Sequence, residues 1–185
     1  MNELLACLAI VLALSSGAAA WLAGTRPFSD RLFAAWMGLA AVFGLAAAVR
    51  VLAGRATSGL AVAWFVPGGA FAVKVDPLSA VFLLSIFLLG ALGAVYGAGY
   101  FSSARQGRRA VRLRLYYGFV VAGMALLVIA RNSLLFLVGW EVMALAAFLA
   151  LSVEDQHQAV RDAGLTYLIC TRAGTLAVIA VFALL

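Results

Sequence analysis

Apolar residues run along this chain in long blocks separated by short polar breaks, with little of the alternate-residue pattern of a half-buried strand. Six blocks read as membrane-spanning helices, at about 4–22, 32–52, 78–100, 116–130, 133–151 and 163–185. The breaks are brief. Residues 24–31, with Pro27 and Asp30, form a polar turn, and Arg131-Asn132 makes a very tight one. Residues 101–115 form an arginine-rich loop, and 152–162 form a polar loop holding Glu154, Asp155 and His157. One stretch departs from the helical pattern. Residues 60–75 alternate, are rich in Val, Phe and Trp, and centre on Pro67-Gly68-Gly69, which predicts a β-hairpin outside the membrane or along its surface. Asp76-Pro77 then opens a helix, with an acid at the N-cap and proline at the first helical position.

Composition sharpens the class. Of 185 residues, 66% are hydrophobic and 11% charged, with a mean hydropathy of +1.12. Soluble domains are about one quarter charged. The chain therefore reads as an all-α integral membrane protein, a single membrane domain over 1–185 with about six transmembrane helices and a short outer-face hairpin. A barrel would show shorter, alternating segments. The first block competes with a signal peptide, because Ser16-Gly17-Ala18-Ala19-Ala20 looks cleavable. Glu3 rather than a base precedes it, however, which favours a span.

The net charge is +6, and Lys74 is the only lysine. In a membrane chain such a balance reports loop orientation rather than nucleic-acid binding. Breaks after the first, third and fifth spans hold Arg26, Arg31, Arg105, Arg108, Arg109, Arg112, Arg114 and Arg161. The opposite side holds Arg50, Arg55, Lys74 and Arg131. The positive-inside rule places the arginine-rich loop in the cytoplasm and the amino terminus outside. That loop fixes topology; its sharper alternative is to bind anionic lipid headgroups or a cytoplasmic partner. Arg50 and Arg55 are placed to snorkel at the far end of the second span. Trp21, Trp36 and Trp64 suit interfacial anchoring. Cys7 and Cys170 fall within spans and read as buried thiols, and the lone His157 reads as a solvated surface residue; no Cys/His cluster points to a metal.

The candidate chemistry is in the fifth block. Glu141 lies near the middle of 133–152, where a carboxylate costs about 2.5 kcal/mol or more and usually marks a relay, an ion path or a paired contact. Counted from the cytoplasmic ends of neighbouring spans, Glu141 and Arg172 lie at similar depths, roughly 15 and 13 Å in at ~1.5 Å per residue. The two charges are expected to approach each other, directly or through water. A low dielectric favours the neutral acid, whereas a guanidinium favours the carboxylate, and such opposed effects leave an acid able to change protonation state. An ion pair that locks two helices without titrating explains the same residues. Trp140 is too deep for an interface and is expected to pack between helices, limiting water access to the acid.

Three segments carry a resemblance. Val75-Asp76-Pro77-Leu78-Ser79-Ala80 is similar to the opening of the antiporter-like membrane subunits of respiratory complex I. Gly139-Trp140-Glu141-Val142-Met143-Ala144-Leu145 resembles their W-E-x-M-x-L segment. Ala159-Val160-Arg161, then Tyr167, then Thr171-Arg172-Ala173-Gly174-Thr175 is the third match. The run 122–174 looks most like the hydrogenase-4 component B and formate hydrogenlyase branch, with Mrp-type cation/proton antiporter subunits as near relatives.

The resemblance implies that Glu141 stands at the family's fifth-helix glutamate, which takes part in proton translocation. Arg172 is then a candidate charge partner and Arg161 a possible assistant at the cytoplasmic end, where snorkelling explains it equally well. It also implies a subunit with no redox centre or cofactor of its own. Such subunits sit in a bacterial-type cytoplasmic membrane beside other membrane subunits and a peripheral hydrogenase or dehydrogenase arm, in contact with lipid and with no nucleic acid. The family's larger subunits have more than twice as many helices, including a broken seventh helix whose lysine faces the glutamate. That lysine has no counterpart here, and Thr175 stands where the complex I branch commonly has an aspartate. The end at Leu185 leads to the expectation of an amino-terminal part or a split gene. The rival functions are a non-conducting membrane scaffold, an Mrp-type cation/proton antiporter subunit, and a stand-alone small transporter assembled as a homodimer.

Overall fold

The computed structural model describes residues 1–26, 28–64, 70–154 and 156–184. Helices α1 (Asn2–Ala23) and α2 (Ser29–Leu52) lead into a two-stranded antiparallel sheet of β1 (Leu60–Ala63) and β2 (Ala70–Val73). Helix α3 (Pro77–Tyr100), a short α4 (Ser103–Gln106), α5 (Arg108–Ile129) and α6 (Ser133–Leu151) follow, and a single 3₁₀ turn leads to α7 (Gln158–Leu184). Among the described residues six helices are long and apolar enough to cross a membrane, with α4 the exception. The Pro67-Gly68-Gly69 turn expected at the hairpin centre lies outside the described residues, as do Pro27 and Asp155 of the expected loops.

Helices in hydrocarbon gain little by hiding apolar surface from one another, so close backbone contact has to hold them. The sequence supplies glycines where they cross. A Cβ built on Gly17 of α1 would lie 2.6 Å from the Leu115 Cα of α5, and one on Gly118 of α5 would lie 2.6 Å from the Ala13 carbonyl oxygen. The same reciprocity joins α5 to α6. A Cβ on Gly123 would meet the Met143 nitrogen at 2.8 Å, and one on Gly139 the Leu127 nitrogen at 3.0 Å. Between α2 and α3, Phe87 fills the space left by Gly44. Helix α7 is different. It leans on α6 along one narrow stripe and buries only Gly164 and Thr175 among its described residues.

The arginine-rich segment is a correction to the expected loop at 101–115. Arg105 is on α4, and α5 begins at Arg108, so Arg108, Arg109, Arg112 and Arg114 are helical. Arginine is a good helix former, and its long stem carries the charge outward from an apolar helix end. Arg114 instead turns inward. It pairs with Asp30 at 2.7 Å, the two side chains being 5% and 12% exposed. It also donates to Ser103 Oγ at 2.6 Å and to the Phe101 carbonyl at 3.1 Å, while the Ser103 N–H donates to Asp30. This cluster ties the start of α2 to the α3–α5 connection. Removing either partner of such a buried pair costs about 3–5 kcal/mol, because the other charge stays buried.

Other polar residues were also expected elsewhere. Trp36, expected at an interface, donates from Nε1 to Ser15 Oγ at 2.9 Å and so joins α2 to α1. Arg50, in the last turn of α2 where snorkelling was expected, donates to the Asn2 side chain at 3.0 Å. Cys7 is partly buried but Cys170 is exposed, because it lies on the part of α7 that nothing in this chain covers.

On the opposite face the hairpin clamps the α5–α6 turn. Lys74 N–H donates to the Ile129 carbonyl and Arg131 N–H to the Ala72 carbonyl, both at 2.9 Å. Asn132 donates to the Ala70 carbonyl and caps α6 by accepting from the Leu135 N–H. Asp76 caps α3 by accepting from the Ser79 N–H at 2.7 Å and pairs with Arg131 at 2.7 Å. The depth at which α6 starts, and hence the depth of Glu141, is set by these bonds.

Two outcomes test this account. Gly118→Leu or Gly17→Leu should lower the thermal midpoint in detergent by an amount equivalent to at least about 1–3 kcal/mol, because backbone has to move. Gly38→Leu and Gly97→Leu, where nothing lies within 4 Å of the added carbon, should leave it nearly unchanged. Asp76 has its pKa lowered to about 2, first by the Ser79 N–H and further by Arg131. A depressed acid stabilises the fold above its unfolded pKa, and that contribution fades as pH falls through the folded value. The difference in midpoint between the native chain and Asp76→Ala should therefore correspond to about 1 kcal/mol near neutrality. It should narrow as pH falls from about 4 toward 2.

Candidate functional site in the membrane

Glu141 lies at the middle of α6, nine residues after its N-cap, Asn132, and ten before its end at Leu151. Each face of its carboxylate is occupied by α7. Arg172 Nη1 reaches Oε2 at 2.5 Å, and Thr175 Oγ1 reaches Oε1 at 2.8 Å. Arg172 and Thr175 are three residues apart, so they share one face of α7 and meet one acid together. Trp140 adds to the group by donating from Nε1 to Thr175 Oγ1 at 3.1 Å. Its ring stacks with Phe136 one turn back, at a centroid separation of 6.3 Å.

The threonine hydroxyl can serve both protonation states of the acid. It has one proton to donate and two lone pairs to accept with. Beside a carboxylate it donates to Glu141. Its alternative acceptor is the Thr171 carbonyl at 3.1 Å. If Glu141 takes up a proton at Oε1, Thr175 accepts that hydrogen and turns its own toward Thr171. The hydroxyl and the acid thus stay hydrogen-bonded in either state, whereas a neutral acid leaves the Arg172 charge without its counter-ion.

The pair is not sealed. The Arg172 side chain is 44% exposed and that of Glu141 29%. On the other side of Trp140 an open cleft of about 560 Å³ runs between α3, α5 and α6. Phe136, Trp140, Met124 and Met143 line it at depth, and Asp76 and Arg131 stand at its mouth. The indole therefore separates the cleft from the Thr175 hydroxyl that it contacts.

The structure brings together two of the three expected site residues. Arg161 lies eleven residues before Arg172, in the first turns of α7, and donates to the Gln156 carbonyl at 3.3 Å. At about 1.5 Å per residue it sits roughly 16 Å from the Glu141 pair along the helix. His157 is exposed just before α7. Thr175 was legible only as a departure from the resemblance, and nothing local marks it as a partner of Glu141. Its three-residue spacing from Arg172 was the available signal. Among the described residues no group of three or more His, Cys, Asp or Glu side chains gathers as a metal site.

No protein-family profile matches the sequence. Several known proteins are similar to it. NADH-quinone oxidoreductase subunit L of Mycobacterium tuberculosis is 31% identical over 117 residues, which cover 60% of this chain and 18% of that protein. Hydrogenase-4 component B of Escherichia coli is 29% identical over 128 residues, covering 67% of this chain and 19% of that protein. An uncharacterized protein of M. tuberculosis is 31% identical over 121 residues, 64% of this chain and 18% of its own length. This chain thus spans about a fifth of the length of the relatives it matches. It is a distant homologue of the antiporter-like membrane subunits represented by NADH-quinone oxidoreductase subunit L and hydrogenase-4 component B.

Proposed function

We propose that this chain is part of a membrane subunit of a redox-driven, proton-translocating complex of the hydrogenase or NADH:quinone oxidoreductase type. Glu141 carries the proton, Arg172 is its charge partner and Thr175 is the hydroxyl that follows its protonation state. The observation that carries this reading is the three-residue contact itself. One intramembrane acid has an arginine on one oxygen and, on the other, a hydroxyl with a second acceptor in reach. The homologues, a subunit of an NADH-quinone oxidoreductase and a component of a hydrogenase, supply the redox setting.

Exposure of Arg172 supports the partners. A guanidinium at mid-helix facing hydrocarbon is costly, so a further polar or protein surface covers the free side of α7 in the assembled complex. Other membrane subunits or further helices are the occupants we favour, with the electron-transfer arm at the cytoplasmic side. The distribution of arginines supports an amino terminus on the outer side, and the homologues support a bacterial-type cytoplasmic membrane as the setting. Arg161, remote from the pair, is at most an assistant near the cytoplasmic end.

One observation favours a second reading, a scaffold that moves no ion. Helix α7 has little buried contact with the bundle beyond Gly164 and Thr175, and the Glu141–Arg172 bond staples it to α6. The variants separate the two. In proteoliposomes containing the assembled complex, Glu141→Gln should reduce proton translocation more than tenfold while the complex still assembles, since proton carriers contribute on the order of 10²–10⁴-fold. Thr175→Val, which keeps the shape and removes the hydroxyl, should slow translocation with the ion pair intact. Full pumping by Glu141→Gln with weakened assembly would leave the scaffold reading standing alone.

A further inference from the structure

A second polar feature lies at the arginine-rich end of the bundle, remote from Glu141. Between the C-terminal end of α1 and the first turns of α5 is a cavity of about 320 Å³, lined by Trp21, Gly24, Thr25, Arg108, Val111 and Arg112. Arg108 and Arg112 are one helical turn apart and so share a face of α5. Both are exposed, and neither has an ion-pair or hydrogen-bond partner among the described residues. Their position is electrostatically unfavourable. A helix N-terminus repels cations, and the first turn of α5 holds no acid to offset them. Gly24, with φ of +64°, ends α1 beside the cavity and has open space where a side chain would be.

We propose that this cavity binds the phosphate of an anionic phospholipid headgroup, with Arg108 and Arg112 holding the phosphate oxygens and the Thr25 hydroxyl completing the set. The surroundings favour a lipid over a soluble phosphate. Trp21 is 52% exposed and Leu22 85% exposed at the end of a spanning helix, which is where headgroups meet acyl chains. Basic pockets between spanning helices recognise such headgroups through charge and a polar rim. An anion here also neutralises the misplaced charge at the α5 terminus, so binding stabilises the bundle.

The test uses the full chain purified in a zwitterionic detergent and native mass spectrometry. It is titrated with dioleoyl-phosphatidylglycerol, with dioleoyl-phosphatidylcholine, and with inorganic phosphate as competitor. Phosphatidylglycerol should form a one-to-one adduct that survives activation, and phosphatidylcholine should not. Arg108→Gln/Arg112→Gln should weaken that adduct about tenfold or more. Arg105→Gln/Arg109→Gln, which removes the same charge outside the cavity lining, should weaken it much less. These four side chains are not part of the buried core, and unchanged far-UV circular dichroism checks folding. Equal losses in the two double variants, or equal retention of phosphatidylcholine, would overturn the site. Full displacement by millimolar inorganic phosphate would overturn the lipid as its ligand.

Discussion

The bundle depends on how closely its backbones approach. In a hydrocarbon solvent apolar side chains gain little from contact with each other, so van der Waals contact between backbones carries the packing. Glycine makes that contact geometrically possible. Gly17 against Leu115 and Gly118 against Ala13 hold α1 to α5, and Gly123 with Gly139 hold α5 to α6. Helix α5 is therefore the common wall, and the proposed proton carrier is carried by the helix clamped to it.

Polar groups do the complementary work at the two ends. At one end a buried Asp30–Arg114 pair and Ser103 fix the connection into α5. At the other the hairpin bonds to the α5–α6 turn and to its capping residue Asn132. Both ends of the common wall are thus tied by directional bonds, while its middle is held by glycine contacts. The mid-membrane polar cluster then forms where α7, the least covered helix, touches α6. A site built on a rigid helix and closed by a loosely held one can keep its geometry while one face stays open to a partner.

The Glu141 cluster and the arginine cavity answer to different chemistry. At the first, the charges are matched within the chain and the question is where a proton goes. At the second, two guanidinium groups on a helix terminus have no match within the described residues. Their separation along the bundle means that the proposed lipid binding and the proposed proton movement can be perturbed independently.

Much of this was legible in the sequence because its causes are local. The apolar blocks, the alternating hairpin flanks, the Asp76-Pro77 helix start and one acid in a long apolar run each follow from residue type and short-range spacing. The Glu141–Arg172 approach was also foreseeable, since two helices joined by a short loop must be neighbours and their lengths set the depths. The start of α5 was not, because whether arginines continue a helix or leave it depends on what they meet, and Arg114 meets Asp30 more than eighty positions earlier in the chain. Thr175 as a hydrogen-bond partner, the exposure of Cys170, Trp36 bonded to α1 and the cavity beside Arg108 share that origin. Residue order alone dictates which segments are apolar enough to enter the membrane and which polar residues go with them, because transfer into oil is a property of each segment. Which of those residues meet is settled by the packed bundle, because contact depends on the rotation and crossing of helices that the glycines allow.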